Sequence, residues 1–146
     1  MTPPVLNQLI AQDRIERIPA DPASAKERLK TVRAHLTAAE SIISFDPDGA
    51  YALAYDAARK AISAHMLAAG FRARNRQGAH QAVVLYALAE IPEFGTGGAT
   101  RHLDRMRRTR NTSEYSGGTV TETQALHAIE ISTRLLASVE HYWPDA

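Results

Sequence analysis

Apolar side chains recur at steps of three and four along most of the chain, the spacing that lines one face of an α-helix. Between residues 22 and 45 the stripe is Leu29, Val32, Leu36, Ala39 and Ile43. Between 47 and 70 two stripes run side by side. One holds Tyr51, Tyr55, Ala58, Ile62 and Met66; the other holds Ala50, Ala54, Ala57, Ala61, Ala64 and Ala68. Alanine lets a second helix backbone come close, so this segment is expected at the centre of a bundle. Residues 78–91 carry Val83, Val84, Leu85, Leu88 and Ile91. An arginine-rich helix is expected over about 99–115, and a last one over about 119–143 with Leu126, Ile129, Leu136, Val139 and Trp143. Thr133 interrupts that final stripe. A short leading helix is expected over about 4–18, with Val5, Leu6, Leu9 and Ile10 on one side.

Helix punctuation agrees with these spans. Asp21-Pro22 and Asp46-Pro47 each read as an N-cap followed by proline at the first helical position. Ser24 with Glu27 offers an alternative capping box to the first of these, and Thr119 with Glu122 offers one to the last helix. Gly70 suits a helix C-cap, Pro19, Pro92 and Pro144 stop helices, and Gly117-Gly118 breaks the chain. No strand-period alternation of useful length and no internal repeat is found. The expected fold is all-α: an up-and-down helical bundle of four to five main helices plus a short N-terminal helix. Residues 1–20 are read as an accessory helix and 21–146 as the bundle.

Length and composition narrow the picture. A chain of 146 residues suits one domain. It has no cysteine, which excludes disulfides and thiolate metal sites and fits a reducing compartment. No apolar run reaches the roughly 20 residues that span a bilayer, and the first residues lack signal-peptide character. The reading is a cytoplasmic protein that does not enter membranes. The six histidines are dispersed, so no metal site and no cofactor are expected. Gly95-x-Gly97-Gly98 precedes a helix but lacks the Walker lysine and a preceding strand, and is read as a linker.

Net charge is only +1, so any pull on nucleic acid must be local. Arg72, Arg74 and Arg76 form one basic cluster. Arg101, Arg105, Arg107, Arg108 and Arg110 form a second, and are the candidate nucleic-acid or phosphate ligands. Either cluster can equally consist of structural ion pairs. In the second, Leu103 and Met106 point to the core, and one further step of four lands on Arg110. An arginine there needs a partner or a cleft. Glu114 can pair with it, and Asp104 with Arg108. Tyr51, Tyr55 and His65 read as core residues with hydrogen-bonded polar ends.

The stretches Tyr-x-x-x-Tyr-Asp-Ala-Ala-Arg-Lys-Ala at 51–61, Gly70-Phe71-Arg72, His80, and Arg-x-x-Arg-Asn-x-x-x-Tyr at 107–115 together resemble the HEPN superfamily, small helical bundles that are often dimeric and common in prokaryotic toxin–antitoxin and phage-defence systems. The resemblance covers about residues 22–143. It implies a homodimer, a possible cognate antitoxin or nucleotidyltransferase partner, and RNA as ligand. In active members an arginine is followed, four to six residues on, by a histidine, and two such motifs meet across the dimer to cleave RNA without metal.

Arg110 and Asn111 match that pattern, but Tyr115 stands where histidine is wanted. Histidine moves protons near neutral pH, whereas tyrosine, with a pKa of about 10, is a poor base. Glu114 beside Arg110 is held in its weakly basic charged form. The resemblance therefore implies a toxin–antitoxin or defence component that binds RNA, nucleotide or a partner protein through a degenerate RNase motif. The alternatives are an active metal-independent endoribonuclease using Arg110, Asn111 and Tyr115, and a non-catalytic interaction module.

Overall fold

The structure is a computed structural model that describes residues 4–92, 102–116 and 119–144, with the backbone alone at 113–116. In chain order the elements are α1 (Pro4–Ala11), β1 (Ile15–Arg17), α2 (Pro22–Ile42), α3 (Pro47–Ala69), β2 (Phe71–Ala73), α4 (Ala79–Glu90), α5 (Leu103–Ser116) and α6 (Glu122–His141). The helical fold class expected from the hydrophobic pattern is the one observed.

α2 and α3 start as their Asp-Pro pairs dictate. Asp21 accepts the Ser24 amide at 3.1 Å, and Asp46 accepts the Gly49 amide at 2.9 Å. Each carboxylate satisfies one of the amides that a helix start leaves open. A Cβ at Gly49 would lie 2.1 Å from Asp46 Oδ2, so a larger residue there would make the capping carboxylate shift. α3 ends at Gly70, whose φ of 92° is the left-handed conformation open to glycine. α6 starts two residues later than expected: Thr121 and Gln124, not Thr119 and Glu122, form the reciprocal capping box. A box needs Ser or Thr and Glu or Gln three apart, and this segment offers two such frames.

α3 is the centre of the bundle and packs against α2, α4, α5, α6 and β2. Every residue of its two sequence stripes is buried. The alanine stripe lets α6 come close enough for Ser132 Oγ to donate to the Ala54 carbonyl oxygen at 2.7 Å. In α6, Ile129, Leu136 and Val139 are buried as expected, but Leu126 is 50% exposed. The inward stripe of this helix is instead Ala125, Ala128, Ile129, Ser132, Leu135, Leu136 and Val139. In α4, Leu88 is likewise exposed and the fully buried Tyr86 supplies the core.

The leader departs from expectation. Its helix stops at Ala11, and the chain turns through Asp13, at φ 59°, into β1. Asp is among the residues that tolerate that region. β1 pairs antiparallel with β2, matching Ile15 to Ala73, Glu16 to Arg72 and Arg17 to Phe71. Three residues per strand are too few to print a period-two pattern. The ladder continues through Ile18 N–H to Gly70 O at 2.9 Å and Arg74 N–H to Arg14 O at 2.9 Å. Leu6, Leu9 and Ile15 are fully buried beneath it.

Candidate functional site

α5 is aimed by its apolar side chains. Leu103 and Met106 are buried in the core, and Arg110, one step further round the same face, is half-buried. Its guanidinium carbon lies 5.7 Å from the centroid of the Tyr55 ring. That is cation–π distance, and the planar guanidinium is suited to such a seat.

The Tyr55 hydroxyl continues the contact to a third helix. It lies 3.1 Å from His80 Nδ1, and His80 Nε2 in turn faces Asp104 Oδ1 at 3.5 Å. Burial, then the charge of Arg107, hold the His80 imidazole below its ordinary pKa; Asp104 opposes this and Arg59 adds to it. Burial also raises the Tyr55 phenol, although Arg59, Arg107 and Arg110 pull it down. An uncharged imidazole beside a protonated phenol assigns the roles: Tyr55 donates to Nδ1, and Nε2 carries the hydrogen that faces Asp104. At 3.5 Å that last contact is electrostatic more than a formed hydrogen bond. With Tyr55 only 4% exposed, the network acts as an inner wall that positions Arg110.

The sequence-predicted ligands divide between two flanks of α5. Arg107 and Arg110 act on Tyr55 together with Arg59 of α3. Arg105 lies on the other flank, beside Tyr51. Arg108 is exposed and pairs with Asp104 at 2.6 Å, the (i, i+4) pair expected from the spacing. Asn111 is half-buried. Arg101 and the side chains of Glu114 and Tyr115 lie outside the described residues. Arg59 had no signal as a ligand, because it belongs to α3 and joins the site only through packing.

The other basic cluster is structural. Arg72 Nε donates to Glu16 Oε1 at 2.8 Å, Arg74 meets Asp13 at 3.0 Å and Glu16 at 3.2 Å, and Arg76 meets Asp13 at 2.9 Å. These pairs clasp the leader to the exit of α3. His65 and Tyr55 are buried with bonded polar ends, as their sequence positions implied. Among the described residues, no group of three or more histidine, cysteine or carboxylate side chains converges to hold a metal ion. No helix among them is long and apolar enough to cross a membrane. No protein-family model, no curated protein and no solved structure matches the chain.

Proposed function

We propose that this chain is a HEPN-type helical bundle of a toxin–antitoxin or defence system, and that it binds RNA through the Arg59–Arg107–Arg110 flank of α5. The observation that carries the reading is the Arg110 guanidinium seated 5.7 Å from the centroid of the Tyr55 ring, at a phenol that also feels the charges of Arg59 and Arg107 from two helices. Guanidinium groups recognise phosphate through paired donors, and arginine is also the cation best suited to lie against a nucleobase or an aromatic ring. The absence of histidine at position 115 favours binding over cleavage, since no residue matching the family motif is fitted to move the 2′-hydroxyl proton near neutral pH. A homodimer that brings two copies of Arg110 together, or a cognate antitoxin partner, belongs to the same reading.

The test is fluorescence anisotropy with a single-stranded RNA oligonucleotide over a salt series. Binding is expected to weaken as salt rises, and the slope of log K on log salt to fall by about one for each of Arg107→Ala and Arg110→Ala. No binding at low salt overturns the reading. Parallel incubation of RNA in EDTA is expected to leave it intact; cleavage abolished by Arg110→Ala replaces the binding reading with the nuclease one.

A further inference from the structure

On the opposite flank, α5 and α6 enclose a cleft of about 190 Å³ that the Arg107–Arg110 site does not reach. α5 contributes Arg105 and Thr109, the turn leading into it contributes His102, and α6 contributes Gln124 and His127. The spacing explains the convergence. Residues 105 and 109 share one face of α5, with 102 three positions before them in the turn that leads in, and 124 and 127 share one face of α6. Met106 and Ala128, one residue beyond Arg105 and His127, are buried, and both helices pack on α3. The back of the cleft is Tyr51 of α3, which lines it together with Thr109.

Three properties specify the occupant. Among the described residues lining the cleft, every polar side chain can donate a hydrogen bond, two are imidazoles and one is a guanidinium, and none is a carboxylate. The rings of His102 and His127 stand edge to face with centroids 5.8 Å apart, so both imidazoles border the same small space. The volume is below the roughly 300–1,000 Å³ of pockets that enclose a drug-sized molecule. It fits a compact anion, or the phosphorylated end of a larger one, and leaves no room for a whole base and sugar.

We propose that this cleft is a phosphate-binding site, in which Arg105 supplies the fixed positive charge and His102 and His127 close on the phosphate oxygens. Burial raises the Tyr51 phenol, which keeps its hydroxyl a donor. The phosphate belongs either to a free small ion or to the end of a nucleotide or RNA strand. The site stands independently of RNA binding by Arg107 and Arg110, since the two use different residues on different flanks.

The test uses the full chain in a buffer without phosphate or sulfate. The imidazole C–H signals of all six histidines are followed by NMR during titration with inorganic phosphate, and separately with a 5′-mononucleotide and its unphosphorylated nucleoside. Phosphate is expected to move the signals of His102 and His127 and leave His65 unmoved. Tighter binding of the mononucleotide than of inorganic phosphate identifies a strand or nucleotide end as the source, and equal binding identifies the free ion. Arg105→Ala and His127→Gln, both at exposed positions, are each expected to weaken binding by about ten-fold, the loss of one charge-assisted contact. Arg107→Ala is expected to leave it unchanged. The proposal is overturned if His102 and His127 do not shift, if the nucleoside binds as well as the nucleotide, or if Arg107→Ala weakens phosphate binding as much as Arg105→Ala.

Discussion

His65 Nε2 lies 2.8 Å from the carbonyl oxygen of Tyr142, a residue 77 positions later in the chain. His65 Nδ1 lies 2.8 Å from the Tyr86 hydroxyl. Both ring nitrogens are thus used by a neutral imidazole, with Nε2–H donating and Nδ1 accepting. The Trp143 ring closes edge-on over the histidine at 6.2 Å. One buried side chain of α3 thereby fastens the end of α6 and the middle of α4.

Burial holds the folded-state pKa of His65 below its ordinary 6.5. Below about pH 6.5 the unfolded chain therefore binds a proton that the folded chain resists. Stability from His65 is complete above pH 6.5 and is lost as pH falls through the folded pKa. Thermal melts are expected to show Tm falling on acidification from neutral pH, with a shallower fall in His65→Leu. Equal pH slopes in the two proteins refute this role.

Tyr86 is 0% exposed, so its hydroxyl has no water to fall back on. Tyr86→Phe keeps the ring packed and strands His65 Nδ1, a loss of about 1–3 kcal/mol. In a double-mutant cycle with His65→Leu the two costs are expected to be strongly non-additive, because they share one hydrogen bond. Additive costs from urea unfolding mean that the bond contributes nothing.

Ala54 is 0% exposed, and its carbonyl receives the Ser132 hydroxyl from α6. A larger side chain there has to push the helices apart. Ala54→Leu is expected to destabilise by about 1–3 kcal/mol or more through overpacking. Ser132→Ala is expected to cost about 1 kcal/mol, the value of one net hydrogen bond. Chemical denaturation orders the two; a milder effect of Ala54→Leu shows that α6 yields to accommodate it.

The leader is clasped by charges at the surface, and Glu16 is central to them. Its hydrogen bond to Arg72 holds its carboxyl below the ordinary 4.5. The clasp is complete above pH 4.5 and weakens as pH falls through the folded pKa. Glu16→Gln is expected to speed amide exchange at Ile18 and Arg74, whose N–H groups extend the ladder. Because the pairs are exposed, high salt is expected to erase the difference from wild type. A salt-independent difference assigns the clasp to packing of Ile15 instead.

What was legible in the sequence follows from distance along the chain. α3 was readable because its start, its stop and both stripes are written within 25 neighbouring positions, from Asp46 to Gly70. The β1–β2 ladder was not, because each strand is three residues long and its partner lies over fifty residues away. Leu126 misled because the apolar positions of α6 outnumber those that one packed face uses. The wall behind Arg110 was invisible for a related reason. Tyr55, His80 and Asp104 come from three helices, and no spacing rule links them. The arginine helix showed its inward residue, but not that Arg105 and Arg110 serve opposite flanks.

His80 offers the sharpest reading of whether RNA uses the Arg107–Arg110 flank. Burial and Arg107 keep its imidazole below 6.5, and the charge of Asp104 opposes them. A phosphate brought onto Arg107 adds negative charge nearby and favours the imidazolium. RNA binding is therefore expected to raise the His80 pKa, and by reciprocity RNA affinity rises as pH falls through that range. Tyr55→Phe removes the donor at Nδ1 without touching the arginines. In that variant His80 is expected to titrate at a higher pH even without RNA, and the RNA salt slope is expected to be unchanged. NMR titration of His80 with and without an RNA oligonucleotide checks both points. If RNA binds while the His80 pKa stays fixed, the phosphates lie elsewhere, and Arg110 serves only to cap the Tyr55 ring.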